Sequence, residues 1–267
     1  MSKYLVSIVA TAAALACGSA SAAIFEEFTV NETVIPGANV FSLANATLKA
    51  GKLNGSYTEA LTVTGPGTFA ASAFANFSQF LDTNGGATVT SLLNSFDPIG
   101  GYRIYAVFSA AGSITGPNTF ASNNNAFDLF LDPGSDTTGS VTNGTLPAVL
   151  ANNGEDILLA SAGAALFSSA GTGNLNGPPG AFNIDFTDFT LTAFGKTVFV
   201  APDPFFLNVR VNGDYDGVNP TTDPVTRFIT GDVSANFAVP EPGSLALVGL
   251  ALLGAGVASR RSASKKK

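Results

Sequence analysis

Two acidic stretches carry the side chains best spaced for chemistry. "NGDYDGVNPTTD" places Asn212, Asp214, Asp216 and Asp223 at relative positions 1, 3, 5 and 12, with Gly217 at position 6. Calcium loops use oxygen ligands at 1, 3, 5 and 12 and a glycine at 6 for the sharp turn. The spacing raises a calcium site, but Asp223 is shorter than the glutamate expected there, and Pro220 and Pro224 would interrupt an exiting helix. A polar hairpin loop without an ion is the simpler reading, so the expectation is no required cofactor, with calcium as the one candidate. "LDPGSDTTGS", with Asp132 and Asp136, is a second acidic loop with weaker spacing.

Paired carboxylates can also run glycoside hydrolysis when one of them has a raised pKa in an apolar pocket. Asp185 and Asp188 lie three apart, so on a strand they point to opposite faces. The chain has no His and one Cys, Cys17. That removes Ser-His-Asp and Cys-His nucleophilic sites and His-based zinc sites. The expectation is a protein that is not an enzyme.

The elements that carry these residues read as strands. "FFLNVRV" puts Phe205, Leu207, Val209 and Val211 on one face, and "SYTEALTVT" puts Tyr57, Leu61 and Val63 opposite Thr58, Thr62 and Thr64. "GYRIYAVFSA" is apolar on both faces and reads as a central strand. "AFNIDFTDFTLTAF" alternates Phe182, Ile184 and Phe186 with polar residues. Turn signals such as "TGPG", "DPGSD", "ANNG" and "NLNGPPG" divide the runs. Short helical turns are expected only at Ser78 to Leu81 or Thr90 to Asn94. Ten or more such strands predict an all-β body, an antiparallel β-sandwich or jelly roll, with the 22 Phe filling the space between two sheets. Thr64 to Asp82 faintly echoes Thr115 to Asp132, which we read as reuse of one turn chemistry rather than duplication.

Only 12% of the 267 residues are charged, so Thr, Ser, Asn and Gly must supply the polar surface. The net charge of −7 hides an uneven distribution. Between the two ends, the six cations Lys49, Lys52, Arg103, Lys196, Arg210 and Arg227 stand against 18 acids, a balance of −12. A body this acidic repels phosphate backbones, so no nucleic-acid partner is expected.

The ends read as processing segments. Residues 1–22 have the form of a secretory signal: Lys3, an apolar run from Leu5 to Cys17, and an A-x-A site for signal peptidase at Ala20 and Ala22. A rival lipoprotein reading of Cys17 is weakened by Ala14, where a larger aliphatic residue is expected. The body is then 23–238. The tail, 239–267, begins with Pro240, Glu241 and Pro242, runs through an apolar, glycine-loosened segment from Gly243 to Ala258, and ends on Arg260, Arg261, Lys265, Lys266 and Lys267. As a helix the segment is roughly 24 Å long at about 1.5 Å per residue, short for a ~30 Å hydrocarbon core. The basic stop behind it holds that end on the cytoplasmic side, as a short temporary transmembrane anchor requires.

The order of proline-acid-proline triplet, small-residue helix and basic end resembles the PEP-CTERM sorting tail. That resemblance implies a Gram-negative envelope protein held transiently at the inner membrane and cut near the triplet by an exosortase. "KLNGSYTEALTVTGPGTF", "DLFLDPGSDTT", "GTGNLNGPPGAF", "VRVNGDYD" and "GDVSANFAVPEPGSLAL" further resemble the flocculation-associated PEP-CTERM proteins. This implies a secreted or cell-surface matrix protein that works with exopolysaccharide to hold cells in flocs or biofilm. The alternatives are a carbohydrate-binding module with a defined site, for which Tyr215 is the best placed aromatic, and, last, a glycoside hydrolase of the matrix.

Overall fold

The alternating runs become long antiparallel strands because Thr, Val, Ile and Phe fit a pleated surface and the Gly-Pro-Asn clusters between them break it. The computed structural model describes residues 27–38, 47–83, 86–95, 100–116, 119–163, 165–167, 180–186, 188–203, 205, 208–215, 217–220 and 226–238. The signal segment and the sorting tail lie outside them. Among the described residues no helix is long and apolar enough to cross a membrane. Phe25–Ala238 form one compact unit of the chain.

Phe28–Asn31 (β1) and Thr47–Ala50 (β2) open the body. Four strands of 14 residues follow: Lys52–Gly65 (β3), Thr68–Leu81 (β4), Arg103–Gly116 (β5) and Thr119–Asp132 (β6). Shorter strands come next: Thr138–Ser140 (β7), Val149–Ala151 (β8), Ile157–Ala162 (β9), Ala165–Phe167 (β10), Gly180–Phe186 (β11), Thr190–Leu191 (β12) and Phe199–Ala201 (β13). The last are Asn208–Tyr215 (β14), Gly217–Pro220 (β15) and Thr226–Ala238 (β16). Among the described residues helix is confined to single turns, Glu32–Val34 and Gly195–Val198.

The body is therefore mostly β, in antiparallel sheets. Its main sheet has 11 strands, in the order β10-β11-β14-β16-β3-β4-β5-β6-β9-β12, with β15 on the side of β16. The strands expected as two facing sheets are joined in this one ladder. They still enclose a core, because the sheet curls. Phe186 of β11 meets Phe127 of β6 at 5.1 Å and Phe108 of β5 at 5.9 Å between ring centroids, although these strands stand far apart in the ladder. A small sheet, β13-β1-β2, contributes Phe28 and Phe199 to the same interior. Phe28 packs edge-on to Phe237 at 4.9 Å, and Phe189 joins Phe237 to Phe127. Phenylalanine fills this core as expected; each ring fully removed from water contributes about 2 kcal/mol before packing geometry is counted.

Two local expectations are corrected. Ser78 to Leu81 is not a helical turn but the end of β4, held by its pairing with β3 through Gln79, Phe80 and Leu81. Thr90 to Asn94 is an irregular loop in which Leu93 bridges to Tyr102. In both places pairing with a neighbouring strand overrides local propensity.

The outer face of β3 to β6 carries a cap made by residues 133–156. It leaves the ladder after Asp132 and returns before Ile157, whose neighbour in register is Leu131. Within it β7 pairs with β8, Thr138 opposite Ala151. The cap sits close to the sheet because it meets it through glycine. A Cβ on Gly144 would lie under 3.0 Å from the carbonyl oxygens of Ala70 and Ala60, and one on Gly139 would run into the Phe74 ring. Gly144 N–H donates to Thr62 Oγ1 at 3.0 Å, and so buries a threonine whose alternation puts it outside. Gly144→Ala should lift this loop, because backbone carbonyls cannot yield, at a cost of about 2 kcal/mol. Urea unfolding measures it, and an unchanged midpoint would show that the loop does not bear on the sheet.

Candidate functional site

The cap places four carboxylates together. Asp132 ends β6, Asp136 lies in the following loop, and Glu155 and Asp156 precede β9. The β7–β8 pairing brings the two loops side by side. Asp132 is fully buried, while Asp136 and Glu155 are exposed. One carboxylate oxygen from each of these three lies within 4.8 Å of those of the other two.

The hydrogen bonds fix this arrangement from below. Asp132 Oδ2 accepts from Thr137 N–H at 3.0 Å, and Thr137 Oγ1 donates to Asp156 Oδ2 at 2.9 Å. Asp156 Oδ2 also accepts from the hydroxyl of Tyr105, a buried residue of β5 stacked on Phe130 at 5.1 Å. Asn152 Nδ2 donates to the Asp136 carbonyl at 3.3 Å, tying one loop to the other. Ser135 and Asn152 both adopt left-handed backbone, with φ of 57 and 60. Asn tolerates that conformation; Ser does so at a cost held by the surrounding bonds. A Cβ on Gly134 would lie 3.1 Å from Asp136 Oδ1 and under 3.0 Å from Glu155 Oε1, so glycine lets these oxygens close over the backbone.

Charge is concentrated here. Burial raises the Asp156 carboxyl above its ordinary range, against the lowering effect of the Tyr105 and Thr137 hydroxyls. A backbone hydrogen bond at Glu155 lowers its carboxyl, but a hydrogen bond with the neighbouring Asp136 carboxyl, some desolvation and the charges of Asp136 and Asp156 together leave it raised. Desolvation, then the bond to Asp156, pushes the Tyr105 hydroxyl far up, so it remains a donor. Oxygen-only donors at this spacing can hold a hard cation.

The residues singled out by spacing fare differently. Asn212 and Asp214 lie within β14, opposite Asn183 and Ala181, where a ladder rather than a loop shapes the backbone. Asn212 Oδ1 accepts from Asn236 Nδ2 at 2.7 Å. Asp216 and Asp223 lie outside the described residues. Asp185 pairs in register with Arg210, while both Asp188 oxygens accept from Gly163 N–H at 2.9 and 3.1 Å. Tyr57, Tyr102 and Tyr105 are buried. Sequence reading had found Asp132 and Asp136 but missed Glu155 and Asp156. The available signal was the turn "ANNGED" in the next connection, two acids at the end of a hairpin begun by "DPGSD".

A further carboxyl on the sheet is set by its surroundings. Glu59 lies on the same side of β3 as the buried Tyr57 and Leu61, opposite Ala73 and Ile229. Desolvation raises it from 4.5 to about 7. The folded protein keeps a proton here that the unfolded chain releases. Stability from this site is therefore full below about pH 4.5 and is lost as pH rises through 7. Glu59→Gln should add about 2 kcal/mol at pH 8 and nothing at pH 4.5; the residue is only half-buried, so the gain is set below the full shift. Calorimetric melting at both pH values checks this, and equal gains at both would refute it.

The architecture defines an antiparallel β body that runs directly into a terminal segment of different composition. Residues 238–262 match the family model described as the PEP-CTERM protein-sorting motif. The matched stretch contains Pro240, Glu241, Pro242, Arg260 and Arg261. The chain thus carries a PEP-CTERM sorting motif, which implies processing by an exosortase and an exported protein, secreted or at the cell surface. No curated protein and no solved structure matches the chain.

Proposed function

We propose that this chain is a structural or adhesive protein of the extracellular matrix that promotes cell aggregation, as flocs or biofilm, together with exopolysaccharide. The observation that carries the reading is the sorting motif at 238–262, fused to an acidic body made of antiparallel strands. Signal peptidase removes residues 1–22 of a Gram-negative envelope protein. The tail, 239–267, holds the chain at the inner membrane until an exosortase cuts near Pro240–Glu241–Pro242, which releases a sandwich-like body, 23–238. That body acts without catalysis. Its low density of charge and its Thr-, Ser- and Asn-rich surface suit many weak contacts with a hydrated polymer, which act through avidity. Tyr57, Tyr102 and Tyr105, buried in the core rather than displayed as platforms, favour this over a carbohydrate-binding module with one defined site.

Deleting the encoding region should disperse the flocs, and the protein should co-sediment with purified exopolysaccharide. Flocs that persist unchanged would end the proposal. Saturable binding to one defined oligosaccharide would favour the module instead, and loss of polymer mass the hydrolase.

A further inference from the structure

The two loops of the cap meet around a carboxyl that the protein itself leaves half unsatisfied. Asp132 has no exposed surface. Its Oδ2 is held by Thr137 N–H, but no hydrogen bond reaches Oδ1 from Arg103, opposite it in the β5–β6 register, or from any other described group. A buried carboxylate oxygen with no donor is costly, and the cost grows when like charges face it. Here one oxygen of Asp132 lies within 4.8 Å of an oxygen of Asp136 and of one of Glu155. We propose that Asp132, Asp136 and Glu155 bind a calcium ion, which fastens the loop after β6 to the loop before β9.

The donor set selects the class of ion. Three carboxylates and no nitrogen or sulfur suit a hard divalent cation. Calcium bonds at about 2.3–2.6 Å reach oxygens up to roughly 5 Å apart across the ion, whereas magnesium, at about 2.0–2.1 Å, demands a tighter octahedron. Oxygens spaced up to 4.8 Å apart lie within the reach of the larger ion, and water completes its shell. Gly134 leaves room for the oxygens to converge, and the Tyr105–Asp156–Thr137 bonds hold the floor of the site in place. The bound ion would replace the missing donor at Asp132 Oδ1 and seat the cap on the sheet. The stretch picked out by its 1-3-5-12 spacing is not part of this site.

The test uses the exported protein, stripped with chelator, titrated with calcium chloride by calorimetry and melted with and without the ion. One saturable site is expected, with a rise in Tm of about 5–10 °C at a hundredfold excess over Kd. Glu155→Gln, at an exposed position, and Asp132→Asn should each weaken binding about tenfold or more. In chelator Asp132→Asn should melt no lower than wild type, because it removes a buried charge rather than a support. Asp214→Asn should bind calcium as wild type does. A flat titration at millimolar calcium would overturn the proposal. So would loss of binding in Asp214→Asn with binding retained in Glu155→Gln. An Asp132→Asn variant that binds normally but melts lower in chelator would reduce Asp132 to a loop brace and overturn it as well.

Discussion

Replacing Pro240, Glu241 and Pro242 together by alanine should leave the exported chain with its C-terminus uncut. Each proline fixes φ near −65° and disfavours helix at the residue before it, so the triplet's sequence favours an extended backbone. An extended backbone is what a protease can grip; a helix hides its carbonyls within its own turns. Alanine is the strongest helix former and would remove that preference for an extended backbone. The expected result is near-complete loss of the processed form from the medium and accumulation of a chain still ending at Lys267 in the membrane fraction. Mass spectrometry of both fractions reads the two termini directly. If the alanine variant is trimmed as efficiently as wild type, the triplet is not what the exosortase reads.

The second large effect concerns Glu32, buried completely in the turn after β1. Its Oε1 accepts from Leu92 N–H at 2.9 Å and from the Tyr102 hydroxyl at 2.8 Å, which pins the small sheet to the loop between β4 and β5. Burial raises this carboxyl, the two donors lower it again in part, and the Tyr102 hydroxyl is itself pushed well above its ordinary value by burial and by Glu32. Glu32→Ala strands two buried donors and opens a cavity, an expected loss of about 4 kcal/mol. Glu32→Gln keeps an acceptor and removes the charge, and should stay within about 1 kcal/mol of wild type at pH 7. The sign with pH follows from the raised folded value: the stability Glu32 contributes is full at acid pH and falls as pH rises, and Glu32→Gln abolishes that slope. Urea unfolding of both variants at pH 4.5 and 8 measures it. An alanine variant as stable as the glutamine one would show that the donors find other partners.

Much of this body could be read from its residues. "GYRIYAVFSA", apolar on both faces, is the buried central strand β5, covered by the Phe core on one side and the cap on the other. The echo between Thr64 to Asp82 and Thr115 to Asp132 corresponds to two hairpins that close alike, Gly65 opposite Thr68 and Gly116 opposite Thr119, each with a register shift just before the turn. Periodicity did less well where a strand changes partner. "AFNIDFTDFTLTAF" looks continuous but divides into β11, paired with β14, and β12, paired with β9 at the far end of the ladder. Nor could alternation reveal Thr62 as buried, since the cap that covers it comes from residues some eighty positions later. The acidic site was half visible for the same reason. Spacing rules detect ligands carried by one loop, whereas Asp132 and Glu155 are joined by a pairing between β7 and β8 that no local pattern announces.

The strand order also dictates when this protein can close. β16 stands between β14 and β3, pairing Val211 with Ala235 on one side and Thr62 with Thr226 on the other. It is the last element before the tail, yet without it the ladder falls into two pieces, each with a raw edge. Assembly must therefore wait until the segment beside the tail has been made, and contacts between partners so distant along the chain form slowly. That delay suits an exported polypeptide. It also means that clipping the body a dozen residues early would leave two sheets with open edges, not a shortened version of the same protein.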